Sequence, residues 1–73
     1  MTFPADLTPA EARTIEAMAR HGDVPAAAAA LGLRGSTLRT QLDMARQKAG
    51  VATTLQLMVR YLKARPEVLE IVA

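Results

Sequence analysis

The chain has 73 residues, with no cysteine or tryptophan and only one histidine. The absence of cysteine excludes disulfides and thiolate metal sites, and one histidine is too few for a zinc site made of protein ligands. The longest apolar run, residues 24–31, is too short to span a bilayer and is mostly alanine. The N-terminus lacks the basic start and apolar stretch of a signal peptide. These absences predict a cytoplasmic protein with no membrane span, no metal and no cofactor.

The side-chain sets that perform catalysis are also missing. The sequence offers no Ser/His/Asp or Cys/His set and no glycine-rich phosphate loop, and its carboxylates are scattered over the predicted helix surfaces. His21 falls at the predicted end of a helix, where a structural role is expected. The sequence therefore predicts a binding protein and not an enzyme.

Positive charge is concentrated in the second half of the chain. Residues 34–65 carry seven of the nine basic side chains and only one of the seven acidic ones, whereas residues 1–33 and 66–73 are net acidic. Such clustering is typical of a surface that contacts phosphate groups. A solvated basic surface is the alternative.

Capping signals divide the chain into helices. Thr8, Pro9 and Glu11 predict a capping box at the start of helix 1, which should cover about 9–20. Further helices are predicted over 24–31, 36–49 and about 53–64, and the tail 66–73 can form one or two helical turns. No strand pattern or domain boundary is present. We therefore predict one all-α domain over 1–73 with four helices and a short fifth, and with its helix-turn-helix core at about 23–50.

Helix 3 is predicted to have two unlike faces. At about 100° per residue, one side carries apolar side chains and the other carries polar ones. The apolar side comprises Leu38, Leu42, Ala45 and Ala49, and the polar side comprises Ser36, Arg39, Thr40, Asp43 and Gln47, with Arg46 at its edge. A helix seated on one side and offering Arg, Thr and Gln on the other suits the DNA major groove. Arg34 is a poor cap, so Gly35 or Ser36 is expected to be the N-cap of this helix.

Helix 4 carries two apolar stripes, whereas a surface helix needs only one. The first comprises Leu55, Met58, Val59 and Leu62, and the second comprises Leu57, Tyr61 and Ala64. Tyr61 suits a core position and a partner contact about equally well.

Four short motifs occur in order along the chain. They are Leu7-Thr8-Pro9 with Glu11, Leu31-Gly32-Leu33, Thr37-Leu38-Arg39 and Lys48-Ala49-Gly50-Val51. With this spacing, residues 7 to about 58 resemble the LuxR-type (GerE-type) helix-turn-helix domain of bacterial transcription factors. The resemblance implies a four-helix domain in which helices 2 and 3 form the helix-turn-helix, helix 3 reads the major groove and helix 4 dimerises. The chain departs from the family pattern at Arg34, where Ser or Thr is usual, and at Gln41, where His is frequent.

The resemblance and the residue types together assign roles by position. Arg39, Thr40 and Asp43 match positions that contact base edges, and Asp43 can alternatively hold Arg39 and Arg46 in place or simply be solvated. The phosphate candidates are Arg34, Ser36, Thr37, Gln41, Arg46, Gln47 and Lys48. Of these, Thr37, Gln41 and Lys48 match positions that either approach phosphates or brace the helix. The family's use of helix 4 makes Leu57, Tyr61 and Ala64 candidates for contact with a second copy.

The sequence thus predicts a regulator of transcription that binds double-stranded DNA as a homodimer. The alternative is a protein-interaction module that keeps the helix-turn-helix shape. Such a module would bind RNA polymerase, a sigma factor or another regulator through helix 4 and the acidic tail.

Overall fold

The computed structural model describes residues 2–72, and every regular element in that range is an α-helix. The helices are α1 (Pro9–His21), α2 (Val24–Leu31), α3 (Gly35–Ala49), α4 (Thr54–Ala64) and α5 (Pro66–Val72). The all-α prediction is confirmed, and the predicted tail helix is present as α5. Ala73, the last residue of that tail, lies outside the described residues.

Helix α1 occupies the centre of the fold because it contacts all four other helices. The predicted capping box begins it: the Thr8 side chain accepts from the Glu11 N–H, and the Glu11 side chain accepts from the Thr8 N–H. Its inward face buries Ile15 and Thr14 completely. Both residues therefore anchor the helix against the common core.

Helices α2 and α3 pack on each other and on α1, joined by the turn at residues 32–34. The Asp23 side chain caps α2 by accepting from the Ala26 N–H at 2.8 Å. Gly32 ends α2 with φ of 67°, and the next N–H, of Leu33, bonds the Ala28 carbonyl at 2.9 Å. A side chain at a left-handed position is strained, so glycine suits this turn. The result is a pair of packed helices joined by a three-residue turn.

Helix α3 begins without the cap that we predicted. Arg34 is the N-cap, its side chain makes no capping bond, and Gly35 is already helical. The expectation that Gly35 or Ser36 would be the N-cap was wrong because the extended Arg34 backbone takes that place, with its carbonyl accepting from the Leu38 N–H at 3.1 Å. The first turn of α3 therefore has no side-chain acceptor from its cap.

The buried side of α4 is the stripe that we predicted to contact a second copy. Leu57 is 0% exposed and Tyr61 is 2% exposed. The Tyr61 hydroxyl donates to Glu16 Oε2 of α1 at 2.5 Å, and the Phe3 ring packs edge-on against the Tyr61 ring at 6.3 Å. The prediction that Leu57 and Tyr61 are dimer contacts was therefore wrong, because both side chains are already covered within the chain.

The other stripe of α4 is the more exposed one. Leu55 is 67% exposed and Val59 is 45% exposed, while Met58 and Leu62 are half-buried. Ala64 belongs to the same stripe as Leu57 and Tyr61 but is exposed, so its predicted contact with a second copy stays a prediction. An unpartnered apolar side is thus present on α4, but it is not the one that we had selected.

Candidate nucleic-acid interface

Helix α3 has the two faces that the sequence predicts. Its inward side chains are all at most 3% exposed, and they are Leu38, Leu42, Ala45 and Ala49. Its exposed side chains are Ser36, Thr37, Arg39, Thr40, Asp43, Met44 and Gln47. The helix therefore presents a mostly polar surface over about three turns.

The Arg39 side chain lies over the start of its own helix. Its Nη1 atom is 3.5 Å from the position that a Cβ on Gly35 would occupy. Thr40 is the next residue on this exposed face, and its hydroxyl donates to the Ser36 carbonyl at 3.0 Å. Among residues 2–72, Arg39 has no ion-pair partner, so its guanidinium can donate to an incoming group.

Asp43 pairs with Arg46, not with Arg39. Asp43 Oδ1 forms an ion pair with Arg46 Nη2, and Arg46 Nη1 donates to the Thr54 hydroxyl of α4 at 2.8 Å. Each terminal nitrogen of this half-buried side chain has one protein partner, and contact of Arg46 with phosphate stays a prediction. One alternative was that Asp43 holds both Arg39 and Arg46 in place, and the structure shows this for Arg46 alone. A base contact by Asp43 stays a prediction.

Gln41 and Lys48 extend from the opposite flank of α3 and bond α1. Gln41 Oε1 accepts from the buried Thr14 hydroxyl at 2.5 Å, and Lys48 Nζ lies 2.6 Å from Glu11 Oε1. The structure therefore contains the bracing alternative for Gln41 and Lys48, and their contact with phosphate stays a prediction. Both residues thus link α3 to α1 at partly buried positions.

The brace at Lys48 has an electrostatic signature. Glu11 is 5% exposed, and burial alone would raise the pKa of its carboxyl. The hydrogen bond and charge of Lys48, together with the Thr8 N–H, outweigh burial and lower this pKa below its ordinary value. Glu11 therefore stays ionised as the buried end of a link between α1 and α3.

The four remaining phosphate candidates are all at the surface. They are Arg34, Ser36, Thr37 and Gln47. Three of them lie at the start of α3, where the absence of a side-chain cap leaves the first N–H groups open to an external acceptor. Their contact with phosphate stays a prediction.

A groove of about 280 Å³ runs beside this surface between α2, α3 and α4. Its lining residues are Val24, Arg39, Leu42, Asp43, Arg46 and Thr54. Arg39 stands at this groove beside the Asp43–Arg46 pair. The groove therefore lies between the outward polar face of α3 and the start of α4.

Two residues of this surface escaped the site prediction. Met44, 46% exposed, lies one turn after Thr40 on the outward face, and the same helical periodicity could have identified it as a contact for a thymine methyl. Thr54 accepts from Arg46 across eight residues of sequence, and no local pattern signals that bond.

Comparison of the chain with protein-family models, curated proteins and solved structures gives no significant match. Within residues 2–72, no helix is both long and apolar enough to cross a membrane. In the same range, no three acidic or histidine side chains are grouped so that they could hold a metal ion.

Proposed function

We propose that this protein is a sequence-specific regulator of transcription that binds double-stranded DNA through α3 in the major groove. The observation that carries the proposal is the outward face of α3, where Arg39 has no ion-pair partner among residues 2–72 and stands beside the exposed Thr40, Met44 and Gln47. Arginine donates two bonds to a guanine edge, and apolar groups contact thymine methyls. The proposal puts the protein in the cytoplasm, with the chromosome.

The polar contacts of α3 support this proposal. Gln41 and Lys48 fasten one flank to α1, and Arg46 fastens the other flank to α4. These contacts limit rotation of α3 about its own axis, and base readout needs side chains held in register with the groove. Phosphate contacts would come from the exposed groups at the start of the helix, principally Arg34 and Ser36.

A homodimer completes the proposed mode of binding. The exposed apolar side of α4, with Leu55 and Val59, takes the role that we had given to Leu57 and Tyr61. Two-fold pairing would place two copies of α3 on successive major grooves, about 34 Å apart. The selected DNA sites are then expected to be palindromic.

The test selects bound sites from a random pool of double-stranded DNA and then titrates binding to the selected site with salt. Arg39→Ala should weaken binding by about 1–3 kcal/mol and relax the preference at one base pair. Arg20→Ala removes the same charge from the exposed end of α1 and should change affinity by less than about 0.5 kcal/mol. Failure of the wild-type chain to bind DNA at about 50 mM salt would reject the proposal. The protein-interaction module, with RNA polymerase, a sigma factor or another regulator as partner, would then replace it.

A further inference from the structure

An open cavity of about 210 Å³ lies between α1 and α2, with no residue of α3 in its lining. Its polar lining comes from α1 alone and consists of Arg13, Glu16, Arg20 and His21. Its apolar lining consists of Ala17, Ala30 and Leu31. Small-molecule sites combine apolar surface with a few converging polar groups, and drug-sized ligands occupy about 300–1,000 Å³. This cavity therefore suits a smaller molecule with charged groups.

Three charged side chains of the cavity follow one another along α1. Arg13, Glu16 and Arg20 are spaced three and four residues apart, so they lie in one line on the helix surface. Such spacing favours ion pairs within a helix. Among residues 2–72, however, neither of these two arginines forms an ion pair. Both guanidinium groups are therefore available to an anionic group that enters the cavity.

The Glu16 carboxylate is engaged through one of its two oxygens. Glu16 Oε2 accepts from the Tyr61 hydroxyl of α4 at 2.5 Å. An ionised carboxylate offers about four lone-pair sites, so Glu16 can keep this bond and also accept from a cationic group in the cavity. The line of side chains thus presents two positive groups with one negative group between them.

The charges of this line select among small anions. Arginine pairs with a carboxylate through two parallel N–H bonds, so two carboxylates would satisfy Arg13 and Arg20. A phosphate dianion would also suit the arginines, but it would face Glu16 without a compensating charge. An ammonium group on the same ligand supplies that charge. The complementary ligand therefore has two carboxylates, one ammonium group and a short aliphatic part against the apolar lining.

We propose that the cavity between α1 and α2 binds an acidic α-amino acid, with its carboxylates at Arg13 and Arg20 and its ammonium group at Glu16. The inference goes beyond the proposed function and does not rest on it, because no residue of α3 lines the cavity. Both arginines are exposed and Glu16 is half-buried, so each pair contributes modestly and a dissociation constant of about 1 mM is expected.

The experiment titrates the ¹⁵N-labelled full chain with L-glutamate at constant ionic strength and follows the backbone amide shifts by NMR. Saturating shifts are expected in α1 and α2 around the cavity, including Ala17 and Ala30. Two matched ligands each lack one charged group: glutarate has no ammonium group, and γ-aminobutyrate has only one carboxylate. Each should bind about fivefold more weakly than L-glutamate.

Replacement of Glu16 gives the sharpest test. Glu16→Gln keeps an acceptor for the Tyr61 hydroxyl and removes the negative charge. It should weaken L-glutamate about fivefold and strengthen glutarate, because the ammonium group loses its partner while the repulsion of a carboxylate disappears. A fold defect would weaken both ligands alike, so it cannot produce this opposite response.

The arginine variants have a matched control outside the cavity. Arg13→Gln and Arg20→Gln should each weaken L-glutamate about fivefold, whereas Lys63→Gln, which removes an exposed charge from α4, should leave its affinity unchanged. DNA binding and amino-acid binding can fail separately, because the DNA test uses Arg20→Ala as a variant of unchanged affinity.

Three results would overturn the proposal. They are shifts that do not saturate by about 50 mM L-glutamate, glutarate binding as tightly as L-glutamate, and a Glu16→Gln variant that weakens both ligands alike. Inorganic phosphate binding as tightly as L-glutamate, with the same shifts, would also overturn it, in favour of a general anion site.

Discussion

Replacement of Lys48 by methionine separates a brace from a phosphate contact. Lys48→Met keeps an unbranched side chain as far as Cε and removes the ammonium group that lies 2.6 Å from Glu11 Oε1. A hydrogen bond to a charged group contributes about 1.5–3 kcal/mol, and a buried partner left unpaired raises the cost. The Lys48 side chain is 27% exposed and Glu11 keeps its bond from the Thr8 N–H, so we expect a loss of about 2 kcal/mol. A domain of this size has a total stability of about 4–11 kcal/mol.

Urea denaturation of four proteins measures this loss: wild type, Lys48→Met, Glu11→Gln and the double variant. A coupling energy of about 1–2 kcal/mol is expected from the cycle. The pKa of Glu11 is lowered, so its stabilising contribution is present above the ordinary value of 4.5 and is lost as the pH falls through the lowered value. The difference between wild type and Lys48→Met should therefore shrink below pH 4.5. Lys63→Met, an exposed control, should change the stability of the dilute monomer by less than about 0.5 kcal/mol.

The same variant gives the opposite pattern if Lys48 contacts DNA instead. A phosphate contact would leave the free energy of unfolding almost unchanged and reduce the slope of log K against log salt by about 0.9. That result would refute the bracing role and favour the phosphate contact, which is the other alternative that the sequence offers.

Two further predictions concern α4. Leu57→Ala should cost about 2–5 kcal/mol in urea denaturation because Leu57 is fully buried, whereas Leu55→Ala should cost less than about 0.5 kcal/mol in the dilute monomer. Equal losses would contradict the observed orientation of the helix. Burial and the bond to Glu16 raise the pKa of Tyr61 from 10.0 to about 12, so its contribution is complete below pH 10 and is lost as the pH rises through 12. Wild type should therefore lose stability relative to Tyr61→Phe between pH 10 and 12, and parallel pH profiles would exclude the buried phenol.

Local signals determined how much of the fold could be predicted. Thr8 and Thr53 each complete a capping box, and Gly32 ends α2 in the left-handed conformation, so these helix ends follow from residues within one turn. The orientation of α4 could not be read in the same way. The buried stripe, with Leu57 and Tyr61, has fewer aliphatic side chains than the exposed one, and it is held by contacts distant in sequence, such as those of Phe3 and Glu16 with Tyr61.

The candidate site likewise has features that local sequence predicts and features that depend on contacts distant in sequence. Which side of α3 faces outward follows from its own periodicity, and that prediction is confirmed. Which polar residues are already engaged depends on partners far away in sequence. Gln41 bonds a residue 27 positions away, and Lys48 bonds one 37 positions away. Glu11 was recognisable as a capping residue, but its second role as the acceptor for Lys48 exists only after α1 and α3 pack together.

Arg46 gives the proposed reading helix a direct mechanical link to the proposed dimer helix. It bonds Asp43 within α3 and Thr54 in the first turn of α4, so it ties the orientation of one helix to that of the other. In the proposed dimer, the position of α4 relative to the two-fold axis would set the distance between the two copies of α3. Under this proposal, Asp43 would help binding even without touching a base, because it holds the guanidinium that keeps this angle. A carboxylate on the surface that we propose for DNA contact thus has a physical reason to be there: it is paired with a cation of the same helix, and that cation is engaged with α4.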